Sequence, residues 1–125
     1  MRDHVVFTDF LQEEELARYY SNAGCFVLVS LYEGFGFPPL EAMACGCPVI
    51  TSNTSSLPEV VGDAGILIDP YDTQRLAEAM ELVLTNSKLR DDMVRKGLAQ
   101  AKKFTWERAA EQTLQVYSKV ARREK

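Results

Sequence analysis

Short apolar runs alternate along this chain with longer stretches in which apolar residues recur three or four positions apart. Runs that are apolar on both faces are typical of parallel strands covered by helices on each side. They predict four strands, at residues 5–8, 25–30, 48–52 and 65–70. With the helical stretches between them, they predict an α/β fold: a partial Rossmann-like parallel sheet of about four strands flanked by helices.

Helical periodicity fills the intervals between these strands and nearly all of the chain after residue 70. It predicts helices at residues 12–22, from Pro38 to just before Gly46, at 57–61, and after caps at Asp72 or Thr73, at Ser87 and at Thr105. In the last helix one stripe predicts a face packed in the core: Trp106, Ala110, Thr113, Tyr117 and Val120. The chain has 125 residues and no repeat or linker, so we interpret residues 1–125 as a single domain.

The formal net charge of -4 argues against nucleic acid as a partner. The basic residues Arg122, Arg123 and Lys125 are typical of a solvated helix end. No apolar stretch approaches the roughly 20 residues that cross a bilayer, so the sequence predicts no transmembrane segment. The start of the chain does not look like a signal peptide, and we expect a cytoplasmic protein.

Three cysteines, Cys25, Cys45 and Cys47, make an odd number that is typical of reduced thiols packed in the interior. The single histidine, His4, does not complete a set of four metal ligands with them. The sequence therefore predicts no metal site.

The loop expected after the second strand has the most unusual composition in the chain. With the start of the next helix, it contains two carboxylates, two glycines and two aromatic residues: Glu33, Gly34, Phe35, Gly36, Phe37 and Glu41. Glycines let backbone N–H groups approach a ligand, and amides ahead of a helix favour an anion such as phosphate. If the loop folds over the helix start, both carboxylates can bind hydroxyls of one polyhydroxylated ligand.

A purely structural interpretation of this loop stays open. Glu41 would then cap the helix or form a salt bridge, while Phe35 and Phe37 would fill the core. The loop lacks both the G-x-G-x-x-G and the G-K-[ST] spacing. Their absence argues against a nicotinamide-dependent oxidoreductase and against an ordinary ATPase.

The stretch from Glu33 to Ile50 closely resembles the E-x7-E signature region of the family 4 retaining glycosyltransferases. The resemblance continues at residues 52–53, 57–60, 62–65 and 104–107, and so spans nearly the whole chain. These enzymes have two Rossmann-like domains in the GT-B arrangement and bind a nucleotide-sugar donor mainly with the second. The resemblance implies a truncated form of that C-terminal, donor-binding domain.

The implied reaction moves a hexose such as mannose from a GDP- or UDP-linked donor to an acceptor hydroxyl, with retention, in surface polysaccharide or glycoconjugate synthesis. The resemblance makes Glu33 the catalytic carboxylate, which contacts the donor sugar as nucleophile or electrostatic stabiliser. It implies that Glu41 binds the nucleotide ribose. It also implies that the donor's sugar and diphosphate are bound by the backbone amides of Gly34, Phe35, Gly36 and Phe37. It implies no cofactor and no obligatory metal. The full-length enzyme would lie in the cytoplasm, either free or bound at the inner face of the membrane.

The family's acceptor domain and the first two strand-helix units of its donor domain have no counterpart in this chain. Those units normally supply the Arg and Lys side chains that neutralise the leaving diphosphate. We therefore expect the chain alone to bind donor weakly or not at all and to transfer no sugar. The alternative is a non-catalytic assembly or binding module derived from the same fold.

The missing strands also bear on association. In the Rossmann order 3-2-1-4-5-6 they would lie between the strands expected at residues 5–8 and 25–30. Either these two strands pair directly or two apolar edges are exposed, and an exposed edge is a template for association. We expect a homo-oligomer, unless the missing N-terminal part is supplied by a partner polypeptide.

Overall fold

The structure is a computed structural model that describes residues 2–123, with the side chains of residues 3–121. Three parallel strands form one sheet in the order β1-β2-β3, with bounds β1 Phe26–Leu28, β2 Val49–Ser52 and β3 Ile66–Ile68. Phe26 pairs with Val49, and Ile50 pairs with Ile66. The carboxyl ends of all three strands therefore meet at one edge of the sheet.

Six α-helices follow the predicted positions closely, after a short 3-10 turn at Arg2–His4. Their bounds are α1 Glu13–Asn22, α2 Phe37–Ala44, α3 Leu57–Val61, α4 Thr73–Thr85, α5 Ser87–Ala101 and α6 Trp106–Arg123. Asp72 caps α4 and Thr105 caps α6, each through a side-chain oxygen that accepts an N–H of the first turn. The cap predicted at Ser87 is wrong: the side chain of Asn86 accepts the N–H of Leu89 at 3.0 Å.

The core has two layers because neighbouring residues of β2 point to opposite faces of the sheet. Val49 packs with α1, α2 and α3, whereas Ile50 packs with α4 and α5. Every residue of β2 is buried, as expected for the central strand of a sheet covered on both sides. The predicted α/β class is confirmed, with three strands where about four were predicted.

The strand predicted at residues 5–8 is wrong. These residues form no strand, and Val6 and Phe7 are 82% and 89% exposed. A strand needs a neighbour for its backbone hydrogen bonds, and the segment does not pair with the free edge of β1. The structure thus shows neither outcome expected from the sequence, because of the two strands concerned only β1 exists and its edge is open.

The core stripe predicted for α6 is also wrong. Trp106 is 79% and Tyr117 is 70% exposed, and Val120 is exposed as well. The periodicity made α6 amphipathic, but no element of residues 2–123 covers its apolar face. Lys125 and the side chains of Arg122 and Arg123 lie outside the described residues. No helix in the described part of the chain is long and apolar enough to cross a membrane.

Candidate functional site

Two loops meet at the carboxyl edge of the sheet. Residues 29–36 lead from β1 to α2, and residues 53–56 lead from β2 to α3. Glu33 joins them: its N–H donates to Ser55 Oγ at 3.0 Å, and its carbonyl accepts from Ser56 Oγ at 2.9 Å. The two loops are therefore in direct contact through the Glu33 peptide unit.

The carboxylate of Glu33 is half-buried in this loop. Ser30 Oγ donates to its Oε1 at 2.8 Å. Within residues 2–123 the other carboxylate oxygen, Oε2, accepts no hydrogen bond. One oxygen is therefore fixed by the protein and the other is available to a ligand hydroxyl.

The backbone after Glu33 presents a run of donors. In the described part of the chain, none of the four N–H groups of residues 34–37 donates to a protein acceptor. The next two residues, Pro38 and Pro39, have no N–H, so the first turn of α2 adds nothing to these four. Unpaired amides at the start of a helix favour an anion, because the N–H groups and the positive end of the helix dipole both attract negative charge.

The two glycines of this run have different roles. Gly36 has φ +115°, and a Cβ there would come within 3.0 Å of Leu57 Cδ2, so the fold itself requires glycine. A Cβ on Gly34 would meet no atom within 4 Å. The space beside Gly34 is open, which leaves room for a ligand against the loop backbone.

The aromatic residues of the loop divide between core and surface. Phe35 packs edge-to-face on Phe104, with ring centroids 5.8 Å apart, and also touches Phe37. Phe37 is half exposed. The structural interpretation thus holds for Phe35, while Phe37 keeps one face free.

Glu41 lies in the second turn of α2 and is exposed. Its carboxylate forms no hydrogen bond or ion pair with any described residue, so neither cap nor salt bridge explains it. Burial, and then the charge of Glu41, raise the pKa of Tyr20 in α1. No contact joins it to Glu33, and their convergence on one ligand stays a prediction.

The sequence profile of the family described as "Glycosyl transferases group 1" matches residues 1–100. The chain belongs to this family. It is 45% identical over 111 residues to the O-antigen chain mannosyltransferase B of Escherichia coli, covering 89% of this chain and 29% of that protein. It is 38% identical over 115 residues to a D-inositol 3-phosphate glycosyltransferase of a Nocardioides species, covering 90% of this chain and 25% of that protein.

Two solved structures of glycosyl transferases share the fold. Sucrose-phosphate synthase of Thermosynechococcus elongatus superposes with a TM-score of 0.83 at 36% identity, over 94% of this chain and 30% of that chain. The C-terminal domain of a glycosyl transferase group 1 protein of Francisella tularensis gives 0.67 at 31% identity, over 79% of this chain and 51% of that domain. The chain thus spans less than a third of the curated relatives named above.

Within this group 1 glycosyl transferase chain, the three cysteines are free thiols. Burial, with smaller contributions from Cys25 and Cys45, raises the pKa of Cys47 to about 11. Burial also raises the pKa of Cys25. These two thiols therefore stay protonated and unreactive at neutral pH, which fits the packing role predicted for them. No cluster of three or more metal-ligating side chains occurs among the described residues.

A cleft of about 830 Å³ borders the loop on the side of Phe35 and Phe37. Sequence analysis missed two cations that line it, Lys103 and Arg108. Lys103 Nζ donates to Gln100 Oε1 at 2.7 Å, and Arg108 donates to the carbonyl of Lys103 at 3.2 Å. These contacts tie both cations to the junction of α5 and α6.

Proposed function

We propose that this chain is the donor-binding part of a retaining glycosyltransferase that moves a hexose such as mannose from a nucleotide-diphosphate sugar to an acceptor hydroxyl. The observation that carries the proposal is the run of four unpaired N–H groups at residues 34–37, directly after a carboxylate with one free oxygen. The amides suit the diphosphate and the carboxylate suits sugar hydroxyls. Mannosyltransferases among the relatives support the choice of sugar.

Glu33 and Glu41 take separate parts of the donor in this proposal. Glu33 lies within the loop that carries the free amides, so its carboxylate faces the sugar when the diphosphate is bound there. Glu41, in the second turn of α2, takes the ribose hydroxyls; its carboxylate has no partner among the described residues. The reaction needs no metal in this scheme, because backbone amides carry the diphosphate and the leaving phosphate takes the acceptor's proton.

The biological role proposed for the full-length protein is synthesis of a surface polysaccharide or glycoconjugate at the cytoplasmic side of the membrane. It is supported by the name of the Escherichia coli relative, an O-antigen chain mannosyltransferase. The acceptor domain and the remaining donor-site cations would be contributed by the part of such a protein that this chain does not match. We accordingly propose that the chain alone binds donor weakly.

A titration of the 15N-labelled chain, followed by amide chemical shifts, tests this proposal because it detects millimolar binding. We expect GDP-mannose or UDP-glucose to produce saturable shifts centred on residues 34–37. Glu41→Ala should weaken nucleotide binding by about fivefold, since one charge-assisted pair of hydrogen bonds to the ribose is lost.

Glu81→Ala is the matched control, because Glu81 is also an exposed helical glutamate but lies on α4. Its dissociation constant should equal that of the unaltered chain. If Glu41→Ala leaves the dissociation constant of the nucleotide sugar unchanged, the result would favour the alternative, a non-catalytic assembly module. Shifts that never saturate with either nucleotide sugar would contradict the proposed donor site.

We also propose that the chain self-associates. The free edge of β1 and the uncovered apolar face of α6 both expose groups that a folded chain normally covers. Light scattering at increasing concentration should show a rise toward the mass of a dimer. A clean monomer at the highest concentration reached would contradict this proposal.

A further inference from the structure

Three serine hydroxyls hold Glu33 at three different points. Ser55 Oγ accepts its N–H, Ser56 Oγ donates to its carbonyl, and Ser30 Oγ donates to its carboxylate. The first two belong to the loop after β2 and lie 22 and 23 positions further along the chain. The position of the Glu33 peptide unit is therefore set by a neighbouring loop as well as by its own.

Ser55 is held in a backbone conformation that serine rarely adopts. Its φ is +52°, in the left-handed region where a Cβ is sterically unfavourable, and glycine would be free of this cost. Such a residue persists only where its surroundings fix it, and these outliers concentrate at functional sites. Ser55 is exposed, so burial of its side chain does not explain the strain, whereas the bond to Glu33 does.

The loop that carries Ser55 is itself anchored on both sides. Asn53 N–H donates to the carbonyl of Ile68 at 2.8 Å, so the start of the loop is tied to the end of β3. Thr54 Oγ1 donates to the carbonyl of Ser30 at 3.3 Å. Ser30 is also the residue whose hydroxyl binds the Glu33 carboxylate. The hydroxyls of Thr54, Ser55 and Ser56 thus form a frame that contacts Ser30 and Glu33 in the loop after β1.

We infer that Ser55 and Ser56 are positioning residues that hold Glu33 where its free carboxylate oxygen meets the sugar of the donor. This inference rests on the proposed function, because it assigns Glu33 to the sugar and residues 34–37 to the diphosphate. A small displacement of a carboxylate costs most of a hydrogen bond to a ligand. Loss of the frame should therefore weaken recognition of the sugar and spare recognition of the nucleotide diphosphate.

Ser55→Gly separates positioning from stability. Glycine adopts φ +52° without strain, so the melting temperature should stay equal or rise. The Glu33 N–H loses its acceptor, and its hydrogen exchange should accelerate by about tenfold. The dissociation constant for GDP-mannose should rise by about fivefold, with that for GDP unchanged, both measured from amide shifts. UDP-glucose and UDP replace this pair if the unaltered chain prefers them.

Ser56 provides a rescue test. Ser56→Ala should produce the same sugar-dependent loss as Ser55→Gly, and Ser56→Thr, which keeps the hydroxyl, should restore donor binding. Ser21→Ala is the matched control, because Ser21 Oγ also donates to a backbone carbonyl, at 2.8 Å, but within α1. It should change neither ligand's dissociation constant.

Two failures can be told apart. If the unaltered chain binds neither ligand, the proposed function fails and the inference falls with it. If the unaltered chain prefers GDP-mannose and Ser55→Gly keeps the full preference, the donor site stands and the positioning role is overturned. Equal losses for GDP and GDP-mannose would likewise overturn it, since they indicate a general disturbance of the loop.

Discussion

Replacing Gly65 by alanine is expected to lower the free energy of unfolding by about 3 kcal/mol. A Cβ at this position would lie 2.6 Å from Val61 Cγ1, 2.7 Å from Val49 Cγ2 and 2.7 Å from the carbonyl oxygen of Val49. The two valine side chains are fully buried, and the carbonyl belongs to the central strand. The Val49 atoms cannot move without disturbing β2, and Val61 cannot move without disturbing the packing of α3, so the clash destabilises the fold.

Urea unfolding followed by circular dichroism measures this effect. Gly34→Ala is the matched control, because a Cβ on Gly34 meets no atom within 4 Å and its φ lies outside the left-handed region. Its free energy of unfolding should change by less than about 0.5 kcal/mol. Equal changes for the two variants would show that the packing around Gly65 is looser than the structure indicates.

Local signals sufficed wherever the partner of an element lies close in sequence. Helix α2 could be predicted from Pro38 and Gly46, because proline fixes the first turn and Gly46, at φ +76°, follows its end. Strand β2 could be predicted because both of its faces are apolar and helices follow on either side. In both cases the pattern within one segment was enough to predict the element.

The same reasoning failed where an element depends on a distant partner. Residues 5–8 have the composition of a strand, but a strand forms only when another chain segment completes its hydrogen bonds. The stripe of α6 has the periodicity of a packed helix, yet periodicity does not specify what covers it. Both segments show that a hydrophobic pattern indicates that a segment can pack, but does not identify the segment it packs against.

The candidate site was predictable in part for similar reasons. Glu33 and the glycines after it stand out by composition, and they lie where the parallel sheet places a ligand. Ser55 and Ser56 were visible only as part of a polar loop, because no local pattern marks a serine at φ +52° or its bond to a residue 22 positions away. Contacts between loops depend on the register of β1 and β2, which the sequence does not encode locally.

Glu33→Gln is expected to reduce sugar transfer by at least about a hundredfold when this chain replaces the matching region of the Escherichia coli O-antigen chain mannosyltransferase B. Glutamine keeps the size of the side chain and an oxygen that can accept from Ser30 Oγ, so the loop should keep its shape. It loses the negative charge that, in the proposed mechanism, would stabilise positive charge developing on the donor sugar in the transition state. Transfer of mannose to the relative's acceptor measures the effect.

Two comparisons decide whether that loss comes from the charge of Glu33. Glu81→Gln removes a charge from an exposed position on α4 and should leave transfer unchanged. An unaltered circular dichroism spectrum and melting temperature of Glu33→Gln would show that the fold is intact. Full activity of Glu33→Gln would remove Glu33 from the mechanism and leave the backbone amides of residues 34–37 as the principal contribution of this loop. A loss confined to Glu33→Gln would instead show that transfer depends on the negative charge of the carboxylate that Ser30 binds.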